Sequence, residues 1–146
     1  MINIKEQLIK MFNQALELEH AAHVQYLAHA ELIKGLNAEK IIERLKEIAS
    51  DEAKHADSFR NFIGNYLEGE PSMGIAATHK AKETARILEV NLRNEKEAID
   101  FYKKIYKKIV EEKNALPYTF EALEHGVRHI ILEEQEHVAE LSVLLG

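Results

Sequence analysis

One helical seam occurs twice in this chain. Ile41, Leu45, Ile48, Phe59 and Phe62 fall on one face of an α-helix, with Glu52 and His55 set in the middle of that face. Moved on by 82 residues, the seam reads Leu123, Val127, Ile130, Glu134, His137, Leu141 and Leu144. A second seam, Phe12, Leu16, Glu19, His23, Tyr26, Ala30 and Ile33, returns 76 residues later as Leu88, Leu92, Glu95, Ile99, Tyr102, Tyr106 and Ile109. The pattern is that of two related helical hairpins. Each hairpin brings one Glu from its first helix, and a Glu-x-x-His from its second, into an otherwise apolar stripe.

The breakers divide the chain to match. Gly35, the stretch from Gly64 to Gly74 and Asn114-Ala115-Leu116-Pro117 separate four segments rich in Glu, Lys, Leu and Ala, all good helix formers. The spacing predicts helices over 4–34, 38–67, 79–113 and 119–145, with Asn3, Asn37, Thr78 and Thr119 as N-caps and Gly35 as a left-handed stop. Strand alternation does not occur at useful length. The expectation is an all-α chain, a single domain over residues 1–146, folded as a four-helix bundle. Its 68–78 connection is long enough to cross the bundle.

Composition narrows the function. The 25 acidic side chains outnumber the 19 basic ones and no lysine-rich arm is present, which disfavours nucleic acid and favours cations. No apolar run reaches the roughly 20 residues of a membrane span, and the N-terminus carries no basic-then-apolar leader, so the expected location is the cytoplasm with no membrane partner. With no Cys there is no thiol nucleophile, zinc–thiolate site or iron–sulfur cluster.

The seam residues ask for a metal. Spacing of i to i+3 puts a Glu and a His on one helical face within reach of one point. Burying one unpaired carboxylate costs several kcal/mol, and four close together repel one another as well. No Lys or Arg lies in these seams to neutralise them. Two divalent cations would balance Glu19, Glu52, Glu95 and Glu134, with neutral His55 and His137 as the remaining ligands. Oxygen and imidazole donors without sulfur suit iron or manganese, and zinc fits as well. The spacing alone is weak, because this composition supplies about one acid-x-x-His by chance. Glu17/His20 is such a pair. It shares a polar stripe with Glu6, Lys10 and Asn13 that reads as a solvated face. Mid-seam position, the matching lone Glu and the duplication single out the other two.

Further residues have two readings each. His23 is either an extra ligand or a core-edge histidine donating to a carboxylate. Tyr26 and Tyr102 either serve the carboxylates or simply pack. Asn91 either orients His137 or is polar at a helix flank. His125 and His129, at i and i+4, form a weak surface metal pair or a solvated face, and His79 reads as a surface residue at a helix start. Leu18, Val24, Leu27 and Leu32 make the first helix apolar outside its seam, as a subunit interface would.

The repeated Glu plus Glu-x-x-His resembles the ferritin-like di-iron carboxylate proteins, bacterioferritin above all. The supporting stretches are Glu19-His20-Ala21-Ala22-His23-Val24-Gln25-Tyr26, Asp51-Glu52-Ala53-Lys54-His55-Ala56-Asp57, Leu67-Glu68-Gly69-Glu70-Pro71 and Glu133-Glu134-Gln135-Glu136-His137. The resemblance covers nearly the whole chain. It implies a ferritin-like bundle with a long crossover between the second and third helices. It also implies one iron held by Glu19, Glu52 and His55 and another by Glu95, Glu134 and His137, with Glu52 and Glu134 bridging. The implied activity is Fe(II) oxidation by O2 or H2O2, a ferroxidase, followed by iron storage in a homo-oligomer. Ala53 stands where bacterioferritins carry a haem-ligating Met, so no haem is expected. The link between the last two helices is longer than in that family. The chain stops at Gly146, without the fifth helix of the largest cages; smaller shells of Dps type lack it too, although those often carry a cysteine pair. The alternatives are a cage-less di-iron oxidase or peroxidase of rubrerythrin type, and a metal-binding bundle without turnover. The sequence names no electron-transfer partner.

Overall fold

The computed structural model describes residues 3–146. Four helices are present, α1 (Ile4–Ala30), α2 (Ala38–Asn61), α3 (Thr84–Glu111) and α4 (Phe120–Leu145), and no strand occurs among the described residues. A π turn, Phe62–Tyr66, extends α2, and a short 3-10 turn, Lys113–Ala115, follows α3. None of the helices is long and apolar enough to cross a membrane.

The apolar seams form two separate clusters, and their membership fixes the direction of every helix. One cluster takes Leu8, Phe12 and Leu16 from the start of α1, Phe59 and Phe62 from the end of the α2 segment, Tyr102, Ile105 and Ile109 from the end of α3, and Leu123, Val127 and Ile130 from the start of α4. The other takes Tyr26 and Ala30 from the end of α1, Ile41, Leu45 and Ile48 from the start of α2, Ile87 and Leu88 from the start of α3, and Leu141 from the end of α4. Both hairpins, α1–α2 and α3–α4, are therefore antiparallel, while α2 and α3 run the same way. The segment joining α2 to α3 must travel the length of the bundle.

That crossover lies along α1. Asn13 donates to the Glu70 carbonyl at 3.1 Å and accepts from the Ser72 amide at 2.7 Å. Ser72 Oγ donates to Glu17 at 2.5 Å, and the Ala76 amide donates to the Glu17 carbonyl at 3.0 Å. Nδ1 of His20 meets the Gly74 carbonyl at 2.7 Å. The stripe Asn13, Glu17, His20 is thus not a solvated face; its polar groups satisfy a strand of irregular backbone that otherwise lacks partners.

The same strap shortens the third helix. The His79 amide donates to Gln25 at 2.7 Å and its carbonyl meets Nε2 of His29 at 3.0 Å, so α3 begins at Thr84 rather than at 79. Thr78 is no N-cap. Thr84 instead exchanges two 3.1 Å hydrogen bonds with the Lys34 backbone. Asn3 does cap α1, accepting from the Glu6 amide at 2.8 Å. Asn37 takes a left-handed conformation at φ 64° and makes no side-chain cap bond, nor does Thr119. Gly35, at φ 95°, supplies the left-handed turn before α2, although α1 itself ends at Ala30.

Candidate metal centre

Between the two apolar clusters lies a layer of charge. Glu19, Glu52, His55, Glu95, Glu134 and His137 are each at most 3% exposed. They come from the inward face of each helix as the seams require: Glu19 from α1, Glu52 and His55 from α2, Glu95 from α3, Glu134 and His137 from α4. Their donor atoms form two groups, Glu19, Glu52, His55, Glu134 and Glu52, Glu95, Glu134, His137, each with its atoms within 4.8 Å of one another. Glu52 and Glu134 belong to both. Nδ1 of His55 faces Glu52 at 3.2 Å, Glu134 at 3.4 Å and Glu19 at 3.6 Å. Nδ1 of His137 faces Glu95 at 2.9 Å and Glu134 at 3.0 Å.

The chemistry of this donor set is incomplete without cations. Oxygens of Glu19, Glu52 and Glu134, and Nδ1 of His55, are buried without a hydrogen bond of acceptable geometry. Orphaned polar groups at this depth cost about 1–3 kcal/mol each, more when charged. Four carboxylates with two imidazole nitrogens converging on shared points are what two divalent ions would satisfy, and the residues fit that role.

Each imidazole is held from behind by an acid. Nε2 of His55, on α2, lies 3.0 Å from Glu133 Oε1 on α4; Nε2 of His137, on α4, lies 2.9 Å from Asp51 Oδ2 on α2. A carboxylate only accepts, so Nε2 carries a proton and Nδ1 is left to face the cluster, where it would offer its lone pair once a cation displaces the proton there. Neither acid had been assigned a role from the sequence. The signal was present, because Asp51 and Glu133 are mates in the 82-residue repeat and both directly precede the shared glutamate.

The tyrosines follow the other repeat. Tyr102 on α3 donates to Glu19 Oε1 on α1 at 2.6 Å, a terminal carboxylate rather than a shared one. Its mate Tyr26 approaches Glu95 without hydrogen-bond geometry. Asn91 does not orient His137. It accepts from Gln25 at 2.8 Å and donates toward His29 Nδ1 at 2.9 Å, in the network that holds the strap. His23 joins neither ligand group; its Nδ1 lies 2.7 Å from the Ala49 carbonyl. The rings of His125 and His129 stack at 6.2 Å on the surface of α4. Leu18 packs onto the core, whereas Val24, Leu27 and Leu32 are exposed.

Without cations the cluster holds protons. Burial lifts the Glu19 carboxyl to about 8 and the Glu95 carboxyl to about 7, with the Glu134 charge adding to both. Glu52 rises well above its ordinary range for the same two reasons. Burial also works against a charged imidazole, but the close carboxylate oxygens of Glu134 and its neighbours outweigh it and carry both His55 and His137 up to about 11. Glu134 sits between those two rings. Burial would raise it, yet the two rings facing it, His137 at 3.0 Å and His55 at 3.4 Å, hold it down at about 2. Cations must therefore displace protons to enter.

A cavity of about 270 Å³ opens between α1 and α3 onto these carboxylates, lined by Tyr26, Tyr102, Asn94, Ala22 and Ala98 among others. It gives a small molecule a way to the carboxylate side of the cluster, opposite the imidazoles.

Comparisons with known proteins give the family and the fold. Residues 9–146 match the family model described as a ferritin-like domain. A bacterial ferritin of Pseudomonas aeruginosa is 31% identical over 90 residues, which is 62% of this chain and 58% of that protein, so the match spans less than two thirds of the relative. A ferritin-like, diiron-carboxylate protein of Bacillus anthracis superposes with a TM-score of 0.89 at 25% identity over the whole of both chains. The dodecameric thioferritin of Bacteroides fragilis, described as bacterioferritin-related, gives 0.84 at 26% identity, covering 99% of this chain and 86% of its own. A bacterioferritin of Rhodobacter capsulatus gives 0.84 at 23%, covering 96% and 84%, a likeness of fold.

Proposed function

Because the chain belongs to the ferritin-like domain family, we propose that it is a ferroxidase that oxidises Fe(II) with O2 or H2O2 and stores or detoxifies the product. The observation that carries this reading is the sharing of Glu52 and Glu134 between two otherwise separate ligand groups. Such sharing serves two adjacent ions and has no use for one. Two Fe(II) ions held side by side surrender one electron each, and with two protons reduce dioxygen to hydrogen peroxide.

The protein's own residues set the conditions for that exchange. Glu19 with His55 hold the first substrate ion, Glu95 with His137 the second, and Glu52 and Glu134 span both. Four carboxylates favour the ferric state by charge. Asp51 and Glu133 keep the ring nitrogens aimed inward, and Tyr102 fixes the orientation of Glu19. The apolar clusters above and below exclude bulk water. Manganese and zinc would suit the same oxygen and imidazole donors. Ala53 places no ligand for haem on α2.

The Bacteroides fragilis relative is a dodecamer by its description. We extend homo-oligomer formation to this chain, with the exposed Val24 and Leu27 on α1 and Leu32 just after it as part of the contact. A soluble cytoplasmic location accords with the absence of a spanning helix among the described residues. The test is to add Fe(II) to the metal-free protein and follow ferric absorbance on admitting air. Rapid oxidation saturating at two irons per chain supports the reading. A rate equal to that in buffer overturns it, and a mass no larger than a dimer removes the storage role.

A further inference from the structure

The 82-residue repeat predicts that the face between α2 and α4 is built alike at its two ends, and it is not. At one end Arg44 of α2 reaches across to Glu140 of α4 and also pairs with Glu47 at 2.8 Å, which closes the face. The repeat mates of Arg44 and Glu140 are Gly126 and Ser58. There no Arg–Glu pair closes the face; Phe62 packs against Gly126 and His55 meets Glu133, and beside them the face opens into a cavity of about 510 Å³ whose lining includes Ser58, Gly126, His55, His125, His129 and Glu133.

The donors around that opening also differ from their mates. Where α2 carries Glu43, Glu47 and Asp51, α4 carries His125, His129 and Glu133. These three follow one another at four-residue steps, about 6 Å of rise each, down one face of the helix. His129 Nε2 already lies 3.4 Å from Glu133 Oε1, a separation two ligands of one cation can share. The same Glu133 oxygen holds Nε2 of His55 at 3.0 Å. Donors thus run from an imidazole in solvent, through one carboxylate, to the buried centre. The nearby cations do not block them. Arg128 touches His125 at 3.3 Å but is drawn onto Glu124 at 2.7 Å, and Lys54 at the rim is exposed.

We propose that His129 and Glu133, with His125 one turn further out, form a divalent-cation site outside the buried centre. Through it Fe(II) reaches or leaves the position held by Glu19, Glu52 and His55. The route rests on the ferroxidase reading; the outer site does not. Imidazole donors select a borderline ion such as Fe(II), Co(II) or Zn(II) over Mg(II) or Ca(II). The opposite end, sealed by Arg44, offers no such path.

Calorimetric titration of the metal-free protein with Co(II) alone tests this. Wild type takes up three ions per chain, two tightly and one more weakly. His125→Ala/His129→Ala takes up only the tight pair, and Glu52→Ala keeps the weak one. When Fe(II) is scarce the double variant oxidises it at least about fivefold more slowly, converging with wild type at saturation, as for a lost capture step. An unchanged Co(II) titration in the double variant overturns the outer site, and equal rates at every Fe(II) level overturn the route. A weak ion lost with the histidines, in a protein that never shows the tight pair, upholds the outer site and instead removes the ferroxidase reading.

Discussion

Asp51 on α2 accepts from Nε2 of His137 on α4 across 2.9 Å. Glu133 returns the arrangement to His55 at 3.0 Å in the opposite direction. The two helices that carry the shared glutamates therefore also orient each other's imidazoles, and neither hairpin can complete its own half. Replacing Asp51 with Ala frees the His137 ring to rotate and to change tautomer. Outer carboxylates of this kind are worth about 10–100-fold in metal affinity. We expect that loss for one ion of the tight pair in Asp51→Ala and for the other in Glu133→Ala, each read by Co(II) titration, while the helical circular dichroism spectrum stays unchanged.

Glu52→Ala removes a ligand from both ions at once and should abolish rapid Fe(II) oxidation, leaving the rate of buffer. Glu17→Ala is the matched control, since Glu17 forms the chance acid-x-x-His pair with His20. It does not touch the centre, but its side chain takes the Ser72 hydroxyl and so holds the crossover. Oxidation should proceed at the wild-type rate with a stability loss of about 1 kcal/mol, a few degrees in thermal midpoint. Wild-type kinetics in Glu52→Ala would contradict the placement of the centre.

What could be read in advance follows from periodicity. The seams carry a 4-3 spacing over many turns, so Glu19, Glu52, His55, Glu95, Glu134 and His137 were assigned to one layer before any contact was known. The crossover carries no period. Its anchors are backbone amides and carbonyls meeting Asn13, Glu17, His20, Gln25 and His29, and a helix stripe that binds a strap has the same composition as one that binds water. Sequence spacing puts the start of α3 too early for that reason, because residues 79–83 contain no breaker and it is the bonds of His79 to α1 that tie this end of the strap down. The roles of Asp51 and Glu133 needed the relative offset of α2 and α4, which sequence spacing within one helix does not contain.

Acidity should stabilise the metal-free protein and weaken its hold on metal. Folding raises Glu19 to about 8 and Glu95 to about 7 from 4.5, so their contribution is complete below 4.5 and is lost as pH rises through the folded values. His55 and His137, raised to about 11 from 6.5, add in the same direction, complete below 6.5 and fading toward 11. Between roughly pH 5 and 8 the thermal midpoint of the metal-free form should fall by several degrees. Mn(II) needs the deprotonated ligands, so its stabilising shift should grow over the same interval. Scanning fluorimetry with and without Mn(II) reads both trends; a metal-free midpoint that climbs with pH contradicts the proton inventory of the cluster.

Gly126 permits the close approach that shapes the open end of the α2–α4 face. A Cβ there would stand 2.2 Å from the tip of the Phe62 ring, which is wedged among Phe12, Phe59 and Tyr66. Alanine would gain about 1 kcal/mol in helix propensity but meet an overpacking cost of about 1–3 kcal/mol. We expect Gly126→Ala to be less stable than wild type by up to about 2 kcal/mol in urea unfolding. A gain in stability would mean that Phe62 can leave its place freely.

Tyr26 and Tyr102 are mates in the 76-residue repeat, yet only Tyr102 makes a well-formed hydrogen bond, 2.6 Å to Glu19. Removing its hydroxyl strands a buried carboxylate oxygen, so Tyr102→Phe should cost the metal-free protein about 1–3 kcal/mol. Tyr26→Phe removes a hydroxyl that has no satisfied bond and sits in a fully buried position, so it should be neutral or slightly stabilising. The contrast isolates the hydrogen bond, because both changes delete one oxygen from a ring packed to the same depth. Urea unfolding of the two variants should separate their midpoints, with Tyr102→Phe the lower. Equal losses would show that Tyr26 bonds Glu95 in solution as its mate bonds Glu19, making the layer symmetric about the shared carboxylates.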